Sequence, residues 1–208
     1  NLGVLHTLQG RPEDAIAAFG RARAACQRLG DRRGLAQAHQ NLAINYRESG
    51  HAPEADTHFR LAADHARAGN SPDVLGRVEE ERAVLFLLTG DPDMAEATAR
   101  RALERLEAIG DAVGRAESLR VLGLVALQTG RLEEAAARLE DALVQARATK
   151  AALLEAETLT CLAALRRARG DDAAAREADG SADRLFRRLG AEAWGERLRD
   201  RVRAHPTD

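Results

Sequence analysis

His58 and His65, with Asp64 between them, are the residues of this chain whose types could ligate a transition metal. Their spacing works against it. Seven residues along a helix rise ~10 Å, too far for both imidazoles to reach one ion, so they read as solvated histidines on an exposed helix face. Cys26 and Cys161 lie far apart, with no CxxC and no companion His at ligand spacing. Flanked by apolar residues at helical spacing, they read as small buried hydrophobes, and two lone thiols fit a reducing cytoplasm. There is no Walker-type glycine loop, no nucleophile elbow and no HExxH. The sequence therefore assigns no catalytic, cofactor-binding or metal-ligating residue, and no cofactor or nucleotide is expected.

Charge excludes two further classes. Lys+Arg number 31 against Asp+Glu 33, a net charge of -2, so nothing draws the chain as a whole to nucleic acid or anionic lipid. The Arg-rich end from Arg184 onward is offset by Asp183, Glu192, Glu196 and Asp200, and it lacks the interleaved aromatics that stack bases. The longest apolar run, Ala83 to Leu88, is far short of the ~18 residues of a membrane span. Neither nucleic acid nor membrane is expected as a partner. Lys150 is the single lysine; an Arg-, Ala- and Gly-rich composition of this kind reads as a GC-rich, bacterial genome.

The elements that must carry any function are helices. Aromatics are 3% of the chain and hydrophobic residues 45%, most of them Ala and Leu. Such a chain packs helices through small residues and lacks the β-branched and aromatic residues of a mainly β domain.

A forty-residue repeat runs through the chain. Gly10, Gly50, Gly90, Gly130 and Gly170 keep its register. Five residues after each stands Ala15, Ala55, Ala95, Ala135 or Ala175, and seven further on Ala22, Ala62, Ala102, Ala142 or Ala182. Seven before each glycine the residue is small: Gly3, Ala43, Ala83, Gly123, Ala163. The residue before that is leucine except at Arg82. Gly30, Gly69, Gly110 and Gly190 form a second set of stops. Glycine takes the left-handed conformation that ends a helix, and Pro12, Pro53 and Pro92 open the helices that follow. Each unit is thus two antiparallel helices joined by a tight turn.

The spacing predicts helices near 1–9, 13–29, 34–49, 53–68, 73–89, 93–109, 113–129, 133–149, 152–169, 173–189 and 192–203. The repeats run about 1–30, 31–70, 71–110, 111–150 and 151–190, with a cap at 191–204 that turns Trp194 and Leu198 inward. Together they make one repeat domain over 1–208. The chain begins without Met, inside a short first helix, and is expected to be a fragment of a longer protein. Asp179 replaces a large apolar residue, Gly180-Ser181 falls inside a helix, and Lys150 occupies a turn that offers Gly elsewhere. The fifth repeat is therefore expected to be irregular.

This small–small–Gly–Ala–Ala skeleton resembles the tetratricopeptide repeat, or TPR, family over essentially the whole chain. Tyr46, Phe86, Phe19 and Phe59 match its large positions. The junctions Leu29-Gly30-Asp31 and Ile109-Gly110-Asp111 are similar to a long-repeat subclass known from polarity adaptors and from the C-terminal arms of bacterial STAND-type regulators. The resemblance implies an all-α, right-handed superhelical solenoid of about five helix hairpins plus a C-terminal capping helix, in a non-catalytic protein. By the family's geometry the first helices line a concave groove. Here it comprises Ile44, Arg47, Val84, Leu87, Leu88, Leu124, Leu127 and Gln128, with Arg77 and Arg120 toward the rim. An apolar groove with charged edges suits an amphipathic helix or extended peptide, or these side chains simply fill a narrow interior. The place after each small residue, where carboxylate-clamp members carry Asn, holds Val4, Ile44, Val84, Leu124 and Ala164, which argues against such a clamp. Two functional readings follow. One is a free-standing protein- or peptide-binding scaffold. The other is the sensory or autoinhibitory arm of a larger regulator, with partner domains upstream in its own chain.

Overall fold

The computed structural model describes residues 2–203, and among them every regular element is a helix. In chain order these are α1 (Leu2–Leu8), α2 (Pro12–Leu29), α3 (Arg32–Glu48), α4 (Ala52–Ala68), α5 (Pro72–Leu88) and α6 (Pro92–Ala108). They continue with α7 (Ala112–Gln128), α8 (Leu132–Ala148), α9 (Ala152–Ala168), α10 (Asp172–Leu189) and α11 (Glu192–Arg203). Each lies within two residues of its expected bounds; residue 1 of the first expected helix and residue 204 of the expected cap fall outside the described residues. The chain divides into two compact units, Asn1–Gly110 and Asp111–Asp208, at a repeat boundary. In the first, α1–α2, α3–α4 and α5–α6 pair as hairpins that meet along α2–α3 and α4–α5. In the second, α7–α8 and α9–α10 do the same, and α11 packs on α9 and α10.

The hairpins close on alanine. Ala15, Ala55, Ala95, Ala135 and Ala175 have no exposed surface, nor have Ala62, Ala102, Ala142 and Ala182. Opposite them the backbones approach so closely that a Cβ on Gly123 would stand 2.7 Å from the Leu139 side chain. Ala22 is the exception and is exposed. α1 has seven residues against eighteen in α2, so it covers only the first part of its partner.

The turns between helices share one form of closure. The N–H just past the turn donates five residues back, as in Asp31 to Cys26 O (3.0 Å), Asp91 to Phe86 O (2.9 Å) and Ala191 to Phe186 O (2.9 Å). This geometry requires a left-handed residue, supplied by glycine at 10, 30, 50, 90, 110, 130, 170 and 190. In the two remaining turns it falls on Asn70 (φ 45) and Lys150 (φ 57). Gly69, which the sequence suggests as the stop, instead has φ -94 and lies one residue early. Helix starts are fastened by Asp31, Asp91, Asp111 and Asp171, whose carboxylates accept from the N–H three residues on.

The fifth repeat is regular, against expectation. α10 runs unbroken through Gly180 and Ser181. Ser181 Oγ donates back to Glu177 O at 3.0 Å, and Asp179 pairs with Arg167 of α9, so a polar bridge stands where other hairpins have an apolar contact. Arg82 is accommodated similarly. It pairs with Asp56 of α4 at 2.8 Å, and its guanidinium lies 5.0 Å from the centre of the Phe86 ring.

Lys150 is the one turn residue held left-handed without the polar side chain that helps Asn tolerate it. Lys150→Gly should raise stability by about 1 kcal/mol, read as a higher urea midpoint at unchanged m-value. A midpoint that falls would show that the lysine side chain supports the turn.

Candidate functional site

The residues expected to line a groove divide sharply by exposure. Val84, Leu87 and Leu124 are only 3%, 4% and 1% exposed and belong to the interior. Ile44, Leu88, Leu127 and Gln128 are half-buried, and Ile44 packs against the core shared by α3, α4 and α5. Within each unit, then, these positions are packed or half-buried and not openly exposed.

Two of the expected rim charges are internal. Arg47 of α3 is buried and donates to the Glu81 carboxylate at 2.6 Å and to the Glu81 carbonyl at 3.0 Å. Its other nitrogens reach Glu48 at 3.2–3.3 Å. Burial alone would weaken this charge, but Glu81 and Glu48 outweigh it and hold the guanidinium above its ordinary pKa. In the second unit Arg120 of α7 stands 3.4 Å from Glu157 of α9, and the other oxygen of that carboxylate accepts from Trp194 Nε1 at 2.6 Å. Glu157 thus ties α7, α9 and the capping helix α11 together. Sequence periodicity placed both arginines on the right helix face but could not show that a carboxylate of the neighbouring hairpin meets each.

Arg77 stays exposed. It lines a concavity of about 600 Å³ in the first unit together with Gln37, Gln40 and Asn41 of α3, the Arg33–Asp73 ion pair and Cys26. Arg33 and Asp73 meet through two bonds of 2.7 and 2.5 Å, which hold the aspartate below the usual carboxylate range. The α2 wall of the concavity, Ala22 and Cys26, corresponds to positions that a full-length first helix covers in later repeats, such as Ala62 and Ala66. The walls on α3 and α5 are concave surface proper, and they are polar.

The cysteines differ. Cys161 is fully buried, and burial pushes its thiol up, away from thiolate, as expected of a small hydrophobe. Cys26 is half-buried.

His58 and His65 are half-buried, not fully solvated as expected. His39 of α3, which the sequence reading did not connect to them, is buried between His58 and His65 of α4. Its Nδ1 is 2.8 Å from His58 Nδ1, and its ring stacks on His65 with centres 5.5 Å apart. Tyr46 stacks on His58 with ring centres 5.2 Å apart. Among the described residues no group of three or more His, Cys, Asp or Glu is arranged to hold a metal ion.

The Arg-rich end is engaged with its own helices. Arg199 pairs with Asp183, and Arg197 and Arg201 lie 5.7 and 6.0 Å from the centre of the Trp194 ring.

The family model of the tetratricopeptide repeat matches residues 1–68 and 75–148. Among solved structures, BtubC (BKLC) from P. vanneervenii superimposes with a TM-score of 0.65 at 20% identity, covering 91% of this chain and 78% of that one. A Podospora anserina chain of nearly identical TPR-like repeats, assigned as a kinesin light chain and solved as a point variant, gives 0.59 at 15% identity, with 91% and 93% covered. At these identities the likeness shows the fold. No curated protein matches the chain.

The account of Glu157 is open to test through Trp194, the single tryptophan. Glu157→Gln removes the charge facing a buried arginine and should cost on the order of 3 kcal/mol, with a red shift of tryptophan emission as α11 loosens. Trp194→Phe, which removes one hydrogen bond, should cost about 1 kcal/mol. Equal urea midpoints for Glu157→Gln and the parent would mean that the carboxylate does not anchor the cap.

Proposed function

The chain belongs to the tetratricopeptide repeat family, and from that premise we propose that it is a non-catalytic scaffold holding a protein or peptide on the concave face of its first helices. The observation that carries this reading is exposure within the first unit: Gln37 and Arg77 stand exposed on successive first helices, with Gln40 half-buried beside them. Amide and guanidinium groups so placed suit the peptide groups and side-chain oxygens of an extended segment, a recognition that does not depend on apolar burial alone.

In the first unit the contact surface is Gln37, Gln40 and Arg77, with Ile44 and Leu88 as its apolar edge. In the second, Leu127 and Gln128 offer a smaller surface of the same kind. Val84, Leu87 and Leu124 act from beneath, by holding the helices at the right separation.

The test uses a peptide selected from a random library against the purified protein. Gln40→Ala combined with Arg77→Ala should weaken that peptide at least about tenfold, on the order of 1.4 kcal/mol, without moving the thermal midpoint. Leu87→Ala combined with Leu124→Ala should instead lose stability, by about 2–5 kcal/mol for each side chain. Arg197→Ala at the cap should leave the peptide bound. Normal binding by the polar double variant, with loss on Arg197→Ala, would move the site to the Arg-rich end.

A further inference from the structure

We propose that the α2–α4 segment of the first unit is a pH-sensitive element, whose helices pack with His39 and His58 uncharged and loosen when mildly acidic solution protonates them. His39 is 6% exposed, and its two imidazole neighbours are its immediate surroundings. The Nδ1–Nδ1 bond to His58 at 2.8 Å uses one proton, with one ring donating and the other accepting. One further proton can settle on Nε2 of the donating ring and leave that bond in place; protonating both rings puts a proton on each Nδ1, leaves neither an acceptor, and sets two positive rings in contact. Tyr46 stacks on His58, so that ring cannot turn away without breaking a stack.

The charges that act on the cluster make this worse. Those that act on His39 are all positive: His58 and His65 from α4, and Arg23 from α2. The neighbouring carboxylates are engaged elsewhere. Asp56 of α4 pairs with Arg60 and Arg82, and Asp64 with Arg67. Glu48 of α3 and Glu81 of α5 pair with Arg47, and Glu79 of α5 with Arg105.

Comparison along the repeat shows that this is particular to one hairpin. Forty residues on, the places of His39 and His65 are taken by Glu79 and Arg105, an ion pair at 3.1 Å. Eighty residues on, they are taken by Leu119 and Gln145. The same positions carry an attractive pair in the third repeat and no charge in the fourth. Only in the second repeat does proton uptake turn them repulsive.

Burial, then His58, His65 and Arg23, push His39 down to about 4, and burial and Arg23 lower His58 as well. An unfolded chain binds these protons near pH 6.5, whereas the folded one does not. The contribution of the cluster is therefore fully present above about pH 6.5 and is lost as pH falls from there toward the folded value. Gln37 and Gln40 ride on the same helix as His39, so the response reaches the concave surface. That consequence rests on the function proposed above; the response itself does not.

Amide hydrogen exchange of the full chain at about pH 7.5 and about pH 5, corrected for the intrinsic rates, tests this without any ligand. Protection in α3 and α4 should fall at least about tenfold more than in α8 and α9 of the same sample. In His39→Gln the two regions should respond alike, whatever the absolute level of protection. His65→Phe, which keeps a stacked ring without its proton site, should show a reduced response and serves if His39→Gln does not fold. An equal response of both regions in the parent chain, or an undiminished one in the variants, would overturn the proposal.

Discussion

The two helices of each hairpin meet over alanines with no surface left to solvent, and the rest of the structure depends on that close approach. Ala55 and Ala62, Ala95 and Ala102, Ala135 and Ala142, and Ala175 and Ala182 are each 0% exposed. At that separation each second helix carries few large side chains beside its alanines, and those it carries, Phe59, Leu106, Leu139 and Phe186, are among the largest fully buried residues. The left-handed turns follow from the same demand, since antiparallel helices this close leave the chain only a few residues in which to reverse.

A frame of this kind also decides where charge can go. Within each unit, first helices of neighbouring hairpins come into contact, so an arginine on one meets a carboxylate of the next, as Arg47 of α3 meets Glu81 of α5 and Arg120 of α7 meets Glu157 of α9. Breaking a buried pair of this sort leaves an uncompensated charge, which makes these residues determinants of hairpin register more than candidates for ligand contact. Arg77, by contrast, is exposed. Polarity in the seams varies from one hairpin to the next while the alanine contacts do not, so individual hairpins can differ in their response to solution conditions within a constant fold.

Helices, turns and repeat boundaries were legible in the sequence because they rest on local signals: glycine at a left-handed position, proline in a first turn, apolar residues at helical spacing. Those signals misled where chemistry substituted for them. Lys150 and Asn70 adopt the glycine conformation, and the Asp179–Arg167 bridge and the Ser181 back-bond carry α10 through a suspected break. The candidate groove was legible as a helix face but not as a surface, because exposure depends on what the next hairpin brings. Val84 and Leu124 hold the same repeat position as half-buried Ile44, yet both are buried. The histidine cluster was missed for a related reason. His58 and His65 are seven apart on one helix, and only the facing helix supplies His39 to span the gap.

Alanine sets the helix separation, and Ala95→Leu in α6 tests this most directly. Ala97, exposed on the same helix, provides the control. Urea unfolding should show Ala95→Leu destabilised by about 1–3 kcal/mol from overpacking, with Ala97→Leu within about 0.5 kcal/mol of the parent. An Ala95→Leu midpoint equal to that of Ala97→Leu would contradict the account, because a leucine accepted at that contact means that the hairpin does not close on alanine.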